Sequence, residues 1–299
     1  MERRQVLLVD AFAEEPTGGQ SVAVVPGNSL PNNQLDAIAS ELSTSGVVTD
    51  DDGTLTYRDR DGTQAVITAA VGGYAALSNR GSIASGTHEL VVDGVQSAPS
   101  DPFLVDLADD GSVSVDVPHE TPDPVEADTE VIAAALGVDV ATLDDVGADL
   151  PAASTEAFGG TVAVPVNFLE HLSSASPDIG ALASLLESED CSRLFAFTFD
   201  TLEPDTDVHA RVFDPEAAGN ERPASGVGAA ACSAQLARWS AFDGDRERIS
   251  FETGRFVDRP GRIETTISEQ PTVGGTALTV LDAEISLPPE EDGDGIIEV

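Results

Sequence analysis

Asn220–Phe242, NERPASGVGAAACSAQLARWSAF, is the stretch on which the reading of this chain turns. Pro223 and Gly226 mark a turn, and the run of Ala, Ser, Gly and Cys behind them has the length of a helix but almost no large side chains. Small residues suit a helix that a sheet encloses, because there the backbones approach closely. A stretch nearer the N-terminus is built in the same way. After Gly72 and Gly73 comes YAALSNRGSIASGTHEL, Tyr74–Leu90. In both halves strand-like runs lead to a glycine-marked turn and then to a helix of small residues. The chain therefore carries a pseudo-repeat of architecture, without a repeat of sequence.

Outward from these two helices the pattern is regular. Val6–Val9 and Ser21–Val25 read as strands joined by the turn-rich EEPTGGQ, and NNQLDAIASEL places Leu35, Ile38, Ala39 and Leu42 on one helical face. Strand-like runs follow at Gly46–Thr49, Thr54–Arg58 and Ala65–Thr68, with Asp-Gly turns at Asp52-Gly53 and Asp61-Gly62. Pro118, Pro122 and Pro124 break the pattern, which sets a lobe boundary giving residues 1–117 and 118–299, the last strands being candidates to cross back. In the second lobe we expect helices at Thr129–Leu136 and Ile179–Leu186, and strands at Thr161–Val166, Leu194–Phe199 and His209–Phe213. ISFETG, RIETTI and TALTVLDAEISL close the set before an acidic tail.

Composition excludes several functions. There are 54 acidic residues against 14 basic ones, a net charge of −40, and every basic residue is Arg. Such a surface repels nucleic acid and anionic lipid. Without lysine there is no Schiff base with pyridoxal phosphate, no amine nucleophile and no P-loop lysine, so we expect no cofactor. The opening MERRQVLLVDAF has an apolar run too short for an export signal, and no segment has the length of a membrane helix, which points to a cytoplasmic protein. His88, His119, His171 and His209 share no metal-ligand spacing, so we expect no metal.

Helix N-termini that face a groove make a site for a carboxylate, since their free N–H groups and dipole attract negative charge. On this reading the turn residues are Arg80, Gly81 and Ser82 in the first lobe and Ala224, Ser225, Gly226 and Val227 in the second, and the ligand is a small anionic metabolite.

VDAFAEEPTGGQSVAVV resembles the opening of the PhzF-type, phenazine biosynthesis-like family. AIASELSTSGVV, VNFLEHL, RVFDP, PASGVGAA, FETGRFVDRPGRI and VGGTALTV follow in the family's order over nearly the whole chain. The resemblance implies an α+β fold like that of diaminopimelate epimerase: two similar lobes, each a curved, mostly antiparallel sheet around a central small-residue helix. It also implies a homodimer, and a cofactor-independent isomerase in which a carboxylate moves a proton within a small carboxylic acid. Gly19 and Gln20, in the family's GGN-like triplet, are substrate-binding on this basis. The family's glutamate falls on Thr44, within Ser43-Thr44-Ser45. Its C-G-H turn is matched to Arg80-Gly81-Ser82, and its D-P-x-T-G-S turn to Arg222-Pro223-Ala224-Ser225-Gly226-Val227.

Two readings remain. In one, Glu221, Asp214 or Glu41 supplies the carboxylate, and Arg80 and Arg222 clamp an anion bidentately. In the other, the chain binds a small anionic ligand in the cleft between the lobes without turning it over. Asp214 precedes Pro215 and is equally a turn former. Cys191 and Cys232 do not sit at helix starts, which disfavours a two-thiol racemase. The acidity also reads as halophilic, because at molar salt the screening length falls to about 3 Å. Raising KCl from 0.1 to about 2 M should lift the thermal unfolding midpoint by several degrees, as scanning calorimetry would record; a flat or falling midpoint would refute a surface adapted to salt.

Overall fold

A computed structural model describes residues 3–27, 30–51, 53–59, 65–93, 101–147, 149–242 and 246–287. The expected turn at Asp61-Gly62 and the acidic tail lie outside the described residues. Two helices organise everything else: α2 (Val66–Asn79) and α7 (Gly226–Arg238). Every residue of α2 from Val66 to Leu77 is buried, so it has no solvent face and must be walled on all sides.

Strands supply the wall. Before α2 run β1 (Arg3–Ala11), β2 (Gln20–Val25), β3 (Gly46–Asp51) and β4 (Thr54–Asp59), with α1 (Asn32–Leu42) between β2 and β3. After it come β5 (Gly86–Asp93), β6 (Phe103–Leu107) and β7 (Val113–Asp116). The second half has β8 (Asp123–Pro124), α3 (Thr129–Leu136), α4 (Val140–Gly147), β9 (Ala153–Thr155), β10 (Thr161–Pro165), α5 (Leu169–Ser174), α6 (Ile179–Ser188), β11 (Arg193–Thr198), β12 (Val208–Phe213) and β13 (Glu221–Arg222). Beyond α7 lie β14 (Arg248–Thr253), β15 (Gly261–Thr266), β16 (Thr272–Gly275) and β17 (Ala277–Ser286).

The pairing expresses the repeat. One half runs β17-β1-β2-β3-β4-β5-β6-β7, parallel only at β2–β3 and β4–β5. The other runs β8-β9-β10-β11-β12-β14-β15-β16, parallel only at β10–β11 and β12–β14. The order of parallel and antiparallel pairs is the same in both, and each central helix fills the crossover between its second parallel pair. β7 pairs antiparallel with β16 and joins the two halves into one sheet. The sheet is therefore mixed and mostly antiparallel, and β17, last of the described strands, closes the first half against β1.

Two sequence expectations are corrected. Ala65–Thr68 is not a strand: Ala65 caps α2 and Val66–Thr68 are its first turn. These β-branched residues imitate a strand because an enclosed helix is apolar all round and shows no periodicity. Gly72 and Gly73 do not mark a turn ahead of a helix but sit inside one. A Cβ on Gly72 would collide with the Val22 side chain, and one on Gly73 would lie 2.9 Å from Val48 Cγ1 and 3.0 Å from Leu55 Cδ1. Glycine here lets α2 settle onto β2, β3 and β4. Strands β6 and β7 and helix α4 went unread in the sequence.

A strap from the second half grips the first. The Arg259 guanidinium donates to Asp10 Oδ1 at 2.7 Å, Ser21 Oγ at 2.8 Å, Gly18 O at 2.7 Å and Gly19 O at 2.8 Å. Gly19 N–H donates to Pro260 O at 2.9 Å and Arg262 N–H to Phe12 O at 2.7 Å. Arg259→Gln would leave Asp10, whose side chain is 2% exposed, without its cation. Removing one member of a buried pair costs about 3 kcal/mol or more; because Arg259 is 31% exposed, we expect the lower end of that range, read as a shift of the urea midpoint in molar KCl.

The two helix starts also touch. A Cβ on Gly226 would lie 2.8 Å from Ile67 Cγ2 and 3.0 Å from Ile67 Cβ. Gly226→Ala should therefore destabilise by about 1–3 kcal/mol through overpacking. In an Ile67→Ala background the same change should cost markedly less, and a double-mutant cycle on urea unfolding measures that coupling; strict additivity would mean that the two helix starts do not bear on each other.

Candidate functional site at the helix N-termini

At the start of α7 the backbone turns through Arg222–Gly226, and Ser225 Oγ accepts from Gly228 N–H at 3.0 Å, capping the helix. This turn rests on the strap, since a Cβ on Gly254, at φ 72°, would lie 2.8 Å from Pro223 O. The strap in turn rests on the β1–β2 hairpin. Gly19, at φ 49°, has no room for a side chain beside Ala11 O, and the buried Gln20 Oε1 has no hydrogen-bond partner among the described residues. The structure thus brings Gly19, Gln20, Arg222, Ser225, Gly226 and Val227 onto one continuous set of turns, with the α2 start opposite.

Arg80, Gly81 and Ser82 are not among them. They follow α2 rather than precede it: Arg80 caps its C-terminal end and donates to Asp282 at 2.8 Å and to Gln5 at 3.1 Å on the outer strands. The expectation that they form the N-terminal turn of the first central helix is thereby corrected. Among the described residues, the two halves carry no equivalent arginines at their helix starts.

Asp214 is 1% exposed and accepts from Arg222 Nε at 2.6 Å and from Glu216 N–H at 2.9 Å, so it is both turn former and ion-pair partner. Behind it lies Arg193, also 1% exposed, which donates to Thr161 Oγ1 at 3.0 Å and Phe158 O at 2.7 Å. Burial pushes its pKa down to about 10, a fall that Asp214 opposes. Glu221 points elsewhere: Arg211 holds both of its oxygens, at 3.0 and 2.7 Å. Glu41 is exposed on α1.

Thr44 is 3% exposed and donates its hydroxyl proton to Gly46 O at 3.0 Å. Gly46 opens β3 and pairs with Asp59, which ends β4. Tyr57 Oη donates to Asp59 Oδ1 at 3.3 Å, and a Cβ on Gly46 would lie 2.7 Å from that phenol oxygen. Thr44, Gly46, Tyr57 and Asp59 are all buried at the end of the strands from which α2 departs. The same ladder place in the second half belongs to Asp214: Arg193 opens β11, Leu194 pairs with Phe213, and Asp214 is the next residue. Each half thus sets a buried aspartate at the end of the strand that leads to its central helix.

Sequence reasoning missed Asp59 and Arg193. Asp59 had a signal: in LTYRD the residues at Leu55, Tyr57 and Asp59 alternate on the inward face, so an acid stands where an apolar residue is expected. Arg193 stands at the head of an apolar strand, where nothing separates it from a surface charge.

Burial disfavours the thiolate form of both cysteines. Burial, then neighbouring Glu189, lifts Cys191 to about 12, and burial lifts Cys232 well above its ordinary value. His209, fully buried, lies 2.6 Å from Glu252 through Nδ1. Burial would raise the Glu252 pKa, but the His209 contact and the N–H groups of Leu202 and Glu203 outweigh it and hold that carboxyl below its ordinary value. Among the described residues no group of three His, Cys, Asp or Glu side chains could hold a metal, and no helix is long and apolar enough to cross a membrane.

Comparison with known proteins agrees with this architecture. The "Uncharacterized isomerase YfhB" of Bacillus subtilis (strain 168) is 24% identical over 90% of this chain and 92% of its own. A PhzF-family phenazine biosynthesis protein of Bacillus anthracis superposes with a TM-score of 0.79 at 21% identity, covering 96% of this chain and all of that one. A predicted epimerase of Pseudomonas aeruginosa does so with a TM-score of 0.72 at 20% identity, covering 94% and 99%. The fold is the α+β arrangement of those proteins. The model of the phenazine biosynthesis-like family matches residues 97–283, and the chain belongs to that PhzF family.

Proposed function

We propose that this protein is a cofactor-independent isomerase or epimerase that moves a proton within a small carboxylic acid at the seam between the two helix starts, and that Asp59 is its acid-base group. The observation that carries this reading is the pair of buried aspartates, Asp59 and Asp214, one at the end of the strand leading to each central helix.

By the family resemblance Thr44 takes the place of the glutamate, but its hydroxyl is engaged with Gly46 O, and among the described residues no group is seen that would activate it as a base. Asp59 presents a carboxylate from the neighbouring strand, steadied by the Tyr57 phenol. It would take a proton from a substrate carbon and return it to another carbon or to the opposite face, so that nothing is oxidised or reduced. On the other side Arg222, with Nε committed to Asp214, retains guanidinium N–H groups for a substrate carboxylate, and the α7 dipole favours the same charge. Glu221, bound bidentately by Arg211, and Arg80, on the outer strands, take no part.

Hydrogen exchange from solvent tests this. In heavy water with about 2 M KCl, a panel of small amino, hydroxy and β,γ-unsaturated carboxylic acids is followed by proton NMR. We expect exchange at one carbon of at least one acid, falling about 100-fold or more in Asp59→Asn and changing little in Thr44→Ala and Glu221→Gln. Exchange that survives Asp59→Asn would move the acid-base role elsewhere. Saturable binding without any exchange would mean a receptor that has given up the chemistry.

A further inference from the structure

The repeat fails at one place, and the failure leaves a cavity. In the first half β17, Ala277–Ser286, lies along the helix α2. Its counterpart in the second half is β8, which is only Asp123–Pro124. Where a full strand would cover α7, the chain instead runs through the extended crossover Val117–Pro122. Between this crossover, the ends of β15 and β16, and α7 lies a cavity of about 350 Å³. That lies within the roughly 300–1,000 Å³ usual for small-molecule sites.

Its walls are mainly apolar, with Glu120 and the hydroxyls of Thr266, Ser268 and Thr272 also lining it. Along α7 it is lined by Val227, Ala230, Ala234 and Ala237, and across from them by Ile267 and Val273. Phe158 closes one end in a left-handed backbone conformation, φ 54°, which is costly for a side chain of this size. Two contacts of its own and one of the preceding residue hold it there. Arg193 donates to its carbonyl oxygen at 2.7 Å, its ring stacks on Phe103 with centroids 5.7 Å apart, and Glu120 Oε1 accepts from Ala157 N–H at 2.7 Å. A deep polar floor is already satisfied: Ser233 Oγ and Thr265 Oγ1 are 2.6 Å apart.

Positive charge stands at the other end. Arg238 lines the cavity at the last turn of α7, with its nearest acid, Asp123, 3.8 Å away, beyond hydrogen-bond reach. It pairs loosely with that carboxylate and lies over the Trp239 ring at 5.0 Å, so no carboxylate holds it at hydrogen-bond distance among the described residues. His119 lines the same cavity from the crossover. Arginines are 14 among 299 residues, and most of those in the second half are tied to carboxylates at hydrogen-bond distance.

We propose that this cavity, which borders the seam only at Val227 and otherwise lies along the later turns of α7, is a second ligand site, and that it binds a small monocarboxylic acid with an apolar ring or branched chain. The apolar body lies between the alanine face of α7 and Phe158, Ile267 and Val273, and the carboxylate meets Arg238. This does not rest on the proposed isomerase activity.

Phenylacetate and its uncharged analogue phenylacetamide are the probes, followed by saturation-transfer NMR and titration calorimetry on the intact protein at about 2 M KCl. Phenylacetate should bind saturably in the millimolar range or tighter, and phenylacetamide more weakly. Ala234→Phe, at a half-buried position, should fill the groove and abolish both signals while the thermal midpoint stays near that of the wild type. Arg238→Gln, on an exposed side chain, should weaken phenylacetate about tenfold, the worth of one charge-assisted hydrogen bond, and leave phenylacetamide unchanged. No saturable binding of either probe, or binding that Ala234→Phe leaves intact, would overturn the site. Equal affinity for acid and amide, or no effect of Arg238→Gln, would overturn the carboxylate assignment.

Discussion

A helix with no polar side has to be surrounded, and α2 is such a helix from Val66 to Leu77. Strands from β17 round to β7 are what surround it, and they can close only if the helix approaches their backbones. Gly72 against Val22, and Gly73 against Val48 and Leu55, make that approach possible. α7 solves the same problem with Gly228 against the Phe195 ring. Once both helices are walled in, their N-terminal ends meet through Gly226 and Ile67. The unpaired N–H groups and dipoles of both helices then converge on one seam. The place where chemistry can happen follows from the packing requirement.

Enclosure alone would leave two bodies hinged at the β7–β16 pair. The strap fixes their relation. Arg259 reaches Asp10 across 249 residues of sequence and satisfies two backbone carbonyls of the hairpin turn on the way. The glycines of the two motifs are there because backbone meets backbone: a Cβ on Gly18 would collide with Pro260 O, and one on Gly261 would lie 3.0 Å from Phe12 O. Two segments that look unrelated in the sequence are thus the two halves of one joint, and the α7 turn leans on the same joint through Gly254.

The repeat of plan was legible because it is written in residue size, and α7 was legible because Pro223 and Gly226 mark the turn ahead of its small-residue run. The start of α2 was not legible. Its Val66, Ile67 and Thr68 have the composition of a strand, and only the enclosure by β1 to β4, which no local window contains, makes them helical. That error displaced the first helix and carried Arg80, Gly81 and Ser82 to the wrong end of it. β6 and β7 are short alternating strands, and only their partners identify them as the bridge to β16. Asp59 was hidden in another way: in an acidic chain one more aspartate draws no notice until period-two alternation shows that it faces inward. The cavity beside α7 has no sequence signal at all, because it arises from the shortness of β8.

The internal symmetry copies the fold and not the charges. Both halves place an aspartate where the strand hands over to the helix, but the second half surrounds its own with arginine, Arg222 in contact and Arg193 behind, in a chain that has no lysine to spare. In the first half Asp59 accepts from the Tyr57 phenol, and Arg58 on the same strand pairs with Asp36 at 2.9 Å. A carboxylate held by a guanidinium is fixed as an anion and attracts no second anion, but the guanidinium it orients can. Under the proposed reading the halves therefore divide the work, the second holding the substrate's charge and the first moving its proton. This division is what would distinguish the protein's chemistry from that of a symmetric two-base site.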